Sequence, residues 1–307
     1  ERKYPFLHQL RKEKGSSFFK ELILKDLKNV FISRVSDKML NCTDNLIISG
    51  FIGVGTVGRY ANYSMITQAI INILTILANT IQPTIGDYFT EKNYRRNYEI
   101  LRQLTFVFFC ISSVVAVGLF SLITPFICDI WLSPAYELGW GTAVLCIVVL
   151  LIKITGLPLS LMMGVTGLFE KEKNAGASSA VLNLVVSLAL VRPYGMTGVL
   201  LGTLLSYLLQ ISYRYVIFFR DFLGMKEEAI RYARDLGEYT AVMILEVAVT
   251  RRIIPLIYGN GGMTPFIFCF VLCILVPLAL NGVFFGRGWR LQSIVKMVRG
   301  MKRSGSR

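Results

Sequence analysis

Histidine is almost missing from this 307-residue chain: the single one, His8, sits in the charged amino-terminal stretch. His-based zinc centres and Ser-His nucleophilic triads therefore lack their parts. Charge is scarce too. Asp, Glu, Lys and Arg make up 17% of the residues, where a soluble domain carries roughly 25%. Uncharged runs recur at Tyr60–Gly86, Leu104–Cys128, Pro193–Tyr213 and Ile253–Gly286. A helix rises about 1.5 Å per residue, so roughly 20 apolar residues cross the hydrocarbon core of a bilayer. With 54% apolar residues and a mean hydropathy of +0.56, a soluble globular enzyme and a disordered chain are both excluded. The composition is that of an all-α, polytopic membrane protein.

No apolar core follows the basic start at Glu1, so a signal peptide is not expected. A first residue other than Met leads to the expectation that the chain begins inside a longer product. The six cysteines, Cys42, Cys110, Cys128, Cys146, Cys269 and Cys273, lie in or beside apolar segments and read as small buried hydrophobes.

Periodicity and charge breaks predict about eight membrane helices, at 25–49, 60–86, 100–127, 137–169, 174–191, 196–217, 236–257 and 264–286. Gly156 and Pro158 should bend the fourth, because proline removes a ladder hydrogen bond. Segments 16–24 and 219–236 alternate apolar and basic residues at helical spacing, the pattern of interfacial helices. Of the 33 Lys and Arg, 25 fall on the side that holds both ends, whereas only Arg59, Arg192, Arg251 and Arg252 fall on the other. Cytoplasmic loops are enriched in both residues, so both termini are expected in the cytoplasm. The +14 charge then reflects topology and attraction to anionic lipids, with no nucleic acid required.

Gly53, Gly55 and Gly58 spell G-x-G-x-x-G, but a dinucleotide fingerprint needs a preceding strand; between two membrane helices it reads as a flexible hairpin. The sequons at Asn41 and Asn62 fall within or beside membrane helices and carry no argument. Gly198, Gly202 and Ser206, like Gly164, Gly167 and the stretch Ala175–Ala180, read as close-packing positions.

The first helix is the most informative. Arg34, Asp37, Lys38, Asn41, Asp44 and Asn45 share one face, opposite Val30, Phe31, Val35, Leu46 and Ile47. A charge at bilayer depth costs about 2.5–3.5 kcal/mol, so such a face meets a hydrated cavity or a paired neighbour. Gln68, Asn72, Thr75, Asn79 and Gln82 form an uncharged stripe on the next helix. Amides like these either glue helices, at about 0.6 kcal/mol each, or line the same cavity. Lys153 and Glu246 lie mid-helix, where each calls for an opposite charge or a ligand.

Three stretches together resemble the polysaccharide-transport flippases of the multidrug/oligosaccharidyl-lipid/polysaccharide exporter superfamily. They are Ser36–Tyr63, with Asn41, Thr43, Asp44, Asn45 and the glycine turn; Gln82–Asp87; and Gly167–Lys171 followed by Asn183, Ser187, Gly195, Gly198, Gly202 and Thr203. The resemblance covers most of residues 25–215 and implies a six-helix lobe of a two-lobed transporter. Residues 25–220 would form that lobe and 221–286 an interfacial helix with an appended helix pair. Residues 1–24 and 287–307 would be basic cytoplasmic segments. The first lobe is absent and becomes the expected partner.

The implied activity is alternating-access transfer of polyprenyl-diphosphate-linked oligosaccharide across the bacterial plasma membrane, with no enzymatic step. Arg34, Lys38, Asn41, Asn45, Gln68, Asn72 and Lys153 would then line the cavity. Asp37, Asp44 and Glu246 are candidates to hold a coupling H⁺ or Na⁺; no other cofactor and no metal centre is expected. A drug/cation antiporter of the same superfamily and a non-transporting membrane scaffold are the alternatives. A membrane glycosyltransferase is weaker still, because Asp129 stands alone on the outer side without a metal-binding partner.

Overall fold

A computed structural model of the chain describes residues 24, 27, 31, 35, 42–88, 93–259 and 262–286, and for 169–173 the backbone alone. Helix fills nearly all of it, and no strand occurs among the described residues. The first helix, α1, is described over 42–51, with Leu24, Leu27, Phe31 and Val35 also helical. Then come α2 (Val54–Tyr88), α3 (Tyr94–Pro125) with a π-helical end Phe126–Trp131, and α4 (Trp140–Thr166).

Phe169–Val216 is two helices, α5 (169–194) and α6 (196–216), folded back on each other at Gly195. Its φ of 56° and ψ of −135° belong to glycine alone at little cost. Asn183 bonds Thr203 and Ser187 bonds the Val199 carbonyl, the pairing of an antiparallel hairpin. The last helices are α7 (Lys226–Tyr258) and α8 (Met263–Phe285).

Seven of the eight expected helices are therefore present, with shifted ends; the first is described only in part, and all of the expected interfacial segment 16–24 but Leu24 lies outside the described residues. The glycine segment is a tight turn at Ile52 and Gly53, both donating to the Ile48 carbonyl, while Gly55 and Gly58 already lie in α2. Gly167 ends α4 in the left-handed region instead of packing a helix. No single helix spans 219–236. A π-turn, Ile217–Leu223, continues α6, Gly224 at φ 65° stops it, and α7 starts at Lys226. Pro158 lies inside α4, which runs unbroken through it.

Five helical stretches among the described residues are long and apolar enough to cross a bilayer: Val54–Gly86, Tyr94–Trp131, Trp140–Thr166, Asn174–Leu223 and Met263–Phe285. The fourth of these is the α5–α6 hairpin with its π-turn. α7 is not among them, because Glu238, Glu246, Arg251 and Arg252 interrupt its apolar run.

α4 sits at the centre, against α2, α3 and the hairpin. Its Ile147, Leu150 and Ile154 pack with Ile48 of α1 and Tyr63 of α2 in the main core. α3 bridges to the last pair, touching both α7 and α8. Phe106 and Phe109 meet Tyr239 and Phe285 there, with Phe109 stacked on Tyr239 at 4.5 Å. Such ring pairs add about 0.5–1.5 kcal/mol beyond burial. That matters in a bilayer, where lipid tails compete equally for apolar contact and packing must hold helices together. Outward, α1 presents Leu24, Leu27, Phe31, Val35 and Leu46 as exposed apolar side chains, as expected of a lipid face, while Ile47 turns inward.

One ion pair fastens α7 to α3. Arg102 donates from Nε and Nη2 to Asp235 Oδ2 at 2.7 and 2.6 Å, and Asp235 is nearly buried. Removing one partner of a buried pair costs about 3–5 kcal/mol, because the other charge is stranded. Arg102→Ala is therefore expected to lower the melting temperature of the purified chain markedly. The exchange Arg102→Asp with Asp235→Arg should restore most of the loss, and no recovery would mean the pair does not act as one.

Candidate functional site

The sequence placed six side chains on one face of the first helix. Arg34, Asp37, Lys38 and Asn41 lie outside the described residues. The two that are described part company: Asp44 is buried and Asn45 exposed. Asp44 reaches α6, where the Thr203 hydroxyl lies 2.8 and 2.9 Å from its two carboxylate oxygens. Asn183 of α5 donates to the Thr203 hydroxyl oxygen at 2.9 Å, and its own Oδ1 is buried with no hydrogen-bond partner. The Val199 carbonyl accepts from Ser187 at 3.2 Å and lies at the same distance from the Thr203 hydroxyl, whose one hydrogen has the nearer Asp44 carboxylate as the alternative acceptor.

This geometry depends on the hairpin. Asn183 and Ser187 stand one turn apart on α5, and Val199 and Thr203 one turn apart on α6, so each pair faces the other. Gly198 and Gly202 allow the approach: a Cβ on Gly198 would run into the Leu190 carbonyl, and one on Gly202 into Ser187. The close-packing reading of the two glycines holds, and its consequence is polar. Small residues bring Thr203 and Asn183 against the Asp44 carboxylate. Hydroxyl, amide and carboxylate oxygens are of the type that hold a hard monovalent ion or a proton. Among the described residues, no group of three or more His, Cys, Asp or Glu is placed to hold a metal ion.

Beside this cluster lies a cavity of about 30 Å³, lined by Asp44, Tyr60, Thr67, Gln68, Lys153 and Thr203 among others. That volume suits about one water. The Lys153 ammonium stands over the Tyr207 ring at 4.7 Å, a cation–π arrangement worth about 0.5–2 kcal/mol. Asp44 lines the same cavity as Lys153, close enough for the ammonium to act on its charge, and the Tyr207 ring adds an aromatic face. Thr203→Val, which keeps the shape but removes the hydroxyl, is expected to lower stability by about 1.5–3 kcal/mol. Thermal melting checks it; an unchanged midpoint would mean that Asp44 needs no partner.

The α2 stripe divides. Gln68 is half-buried on the cavity, Asn72 and Asn79 are exposed, and Gln82 packs against Gly164 of α4. The helix therefore uses its amides for both purposes. Among the described residues, Glu246 forms no ion pair, one of the options expected for it: it is completely buried, and neither carboxylate oxygen has a hydrogen-bond partner. Cys42 departs from its reading as a buried hydrophobe, since it is exposed and Cys110 only half-buried; the other four are buried. Thr203 and Asn183 were visible in the sequence only through the family resemblance. A polar residue in a small-residue hairpin is the physical signal that singles them out.

The fold and this polar interior define an all-α polytopic membrane protein. No family model matches the chain, and no curated protein does either.

Proposed function

We propose that the chain is one lobe of a flippase that carries polyprenyl-diphosphate-linked oligosaccharide across the bacterial plasma membrane, its termini cytoplasmic and its second lobe a separate or preceding segment. The observation that carries this reading is the shared cavity of Lys153, Gln68 and Asp44 inside an apolar bundle. A diphosphate head is anionic and strongly hydrated, so moving it bare through hydrocarbon costs many kcal/mol. Lysine and amide groups at mid-membrane replace part of that hydration. Arg34 and Lys38 would extend the cationic surface along the same helix.

A recess the size of one water admits no sugar. The bulk of the cargo belongs in the space between the lobes, with Asn45 and Asn72 exposed to it and the recess receiving an ion or water. Asp44, with Thr203 and Asn183, would hold the coupling H⁺ or Na⁺ and register cargo through Lys153. The prenyl tail needs no polar route. An apolar groove of about 400 Å³ between α2, α3 and α8, lined by Ile66, Ile70, Leu119, Phe126, Phe266 and Phe270, would take part of it. No bond is made or broken in this passage, so no enzymatic activity is assigned.

Two experiments separate the readings. Cells that lack the complete protein should accumulate inner-leaflet oligosaccharide-lipid, and its return should restore outer-leaflet material. Restored efflux of cationic dyes with no change in oligosaccharide-lipid would favour the drug/cation antiporter instead. The scaffold reading draws on one observation, that both Asp44 oxygens already meet Thr203. It predicts neither activity.

A further inference from the structure

A second polar cluster lies away from the Asp44 cavity, in the seam where α7 and α8 meet α3. Glu246 of α7 is 0% exposed, and both of its carboxylate oxygens lack a hydrogen-bond partner. Ser113 of α3 stands beside it. Asn281 of α8 is buried as well, and its Oδ1 is likewise unpartnered.

The donors nearby are already engaged. Asn281 Nδ2 donates to Ser113 Oγ at 2.8 Å, the Ser113 hydroxyl to the Cys110 carbonyl at 3.1 Å, and the Thr250 hydroxyl to the carbonyl of Glu246 itself at 2.8 Å. What remains is three buried acceptor atoms, and the one donor in reach of them among the described residues is the Ser113 hydroxyl, which the Cys110 carbonyl already engages. Among the described residues, no basic side chain supplies the charge. α8 carries no ionisable group except Cys269 and Cys273, α3 presents Cys110 at this level, and Arg102 of α3 is committed to Asp235. Along α7 the nearest charges are Glu238 and Arg251, at least five residues away.

Three buried acceptors and one negative charge describe the complement of a small positive ligand. A divalent ion calls for more carboxylates than this layer offers, whereas a hard monovalent ion is neutralised by one and coordinated by amide and hydroxyl oxygens. We propose that Glu246, Asn281 and Ser113 form a monovalent-cation site, of the Na⁺ class, that ties the α7–α8 pair to α3. The site extends the ion-coupling role given to Glu246 above, but it is read without cargo and without the second lobe's activity. Failure of the flippase reading would leave it intact, and its own failure would leave the Asp44 cavity intact.

The test is thermal melting of the full chain in lipid nanodiscs, in an Asp44→Asn background so that the first cluster contributes no carboxylate. NaCl is titrated against choline chloride at constant ionic strength. Sodium, and not choline, is expected to raise the melting temperature in a saturable manner. Glu246→Gln should abolish the rise, and Asn281→Ala should weaken apparent sodium affinity by about tenfold, the loss of one ion–dipole contact. Should Glu246→Gln yield no folded protein, Asn281→Ala and Ser113→Ala carry the comparison. A sodium response that survives Glu246→Gln overturns the site. So does a chain indifferent to sodium whose infrared spectrum shows a protonated-carboxyl band that Glu246→Gln removes, because a proton then occupies the layer.

Discussion

Lys153→Met in the complete protein is expected to cut outer-leaflet oligosaccharide-lipid by roughly ten- to a hundredfold at unchanged protein level. That range corresponds to losing one charge-assisted contact of about 1.5–3 kcal/mol to the diphosphate. Methionine keeps an unbranched stem that can lie on Tyr207, so packing changes little while the charge disappears. The effect should fall on transport more than on folding. Lys153 borders the Asp44 recess, however, so a secondary loss of ion coupling is expected, visible as a weaker response of flux to the sodium or proton gradient. Lys153→Arg should recover much of the flux, since a guanidinium also stacks on an aromatic ring and binds phosphate oxygens. Flux and immunoblot together check the prediction; normal flux in the methionine variant would remove Lys153 from the cargo path.

A larger effect on the fold itself is expected from Gly198→Leu. The α5–α6 hairpin is closed by contacts in which there is no room for a Cβ at either Gly198 or Gly202. The obstacle at Gly198 is the Leu190 carbonyl, which belongs to helical backbone and moves only if the hairpin opens. Overpacking against side chains costs about 1–3 kcal/mol, and against backbone the cost is greater. Opening the hairpin would also part Asn183 from Thr203 and release Asp44. The purified variant should elute as aggregate or as several species in gel filtration. Gly237→Leu, at a position with open space around it, should behave like the parent. A monodisperse Gly198→Leu protein with the parent's melting temperature would mean that the hairpin is looser than described.

Much of the architecture was legible because membrane helices announce themselves locally. A run of uncharged residues and a break of glycine and charge are enough to place α8 to within one residue, while α2 and α3 each begin six residues earlier than expected, in segments that carry charge or glycine. The reversal at Gly195 was legible as two helices separated by Arg192, Pro193 and Gly195. What the sequence could not supply was partnership between distant residues. Arg102 and Asp235 are 133 positions apart, as are Phe106 and Tyr239, and nothing local distinguishes them from lipid-anchoring or lipid-facing side chains. α2 illustrates the same limit. Its amides repeat at helical spacing, but which meets a cavity, which packs on Gly164 and which stays exposed depends on the neighbours, not on the repeat. The polar face of α1 was read as one surface, yet Asp44 and Asn45 point to different surroundings. Adjacent residues on a helix differ by about 100°, enough to separate a buried carboxylate from an exposed amide. Glu246 was singled out correctly as an anomaly, since charge in an apolar helix is costly wherever it ends up. Its surroundings, acceptors with no basic partner among the described residues, required three helices to be in place.

The most direct test of the central claim asks whether the exposed amides of α1 and α2 meet water and cargo. Native cysteines are first replaced in the complete protein, and Asn45→Cys and Asn72→Cys are labelled in native membranes with a membrane-impermeant thiol reagent. The account predicts that both positions react and that lipid-linked oligosaccharide slows the reaction. Two inert cysteines in an active, correctly inserted protein would contradict it, and would leave the polar stripe as a means of holding helices together.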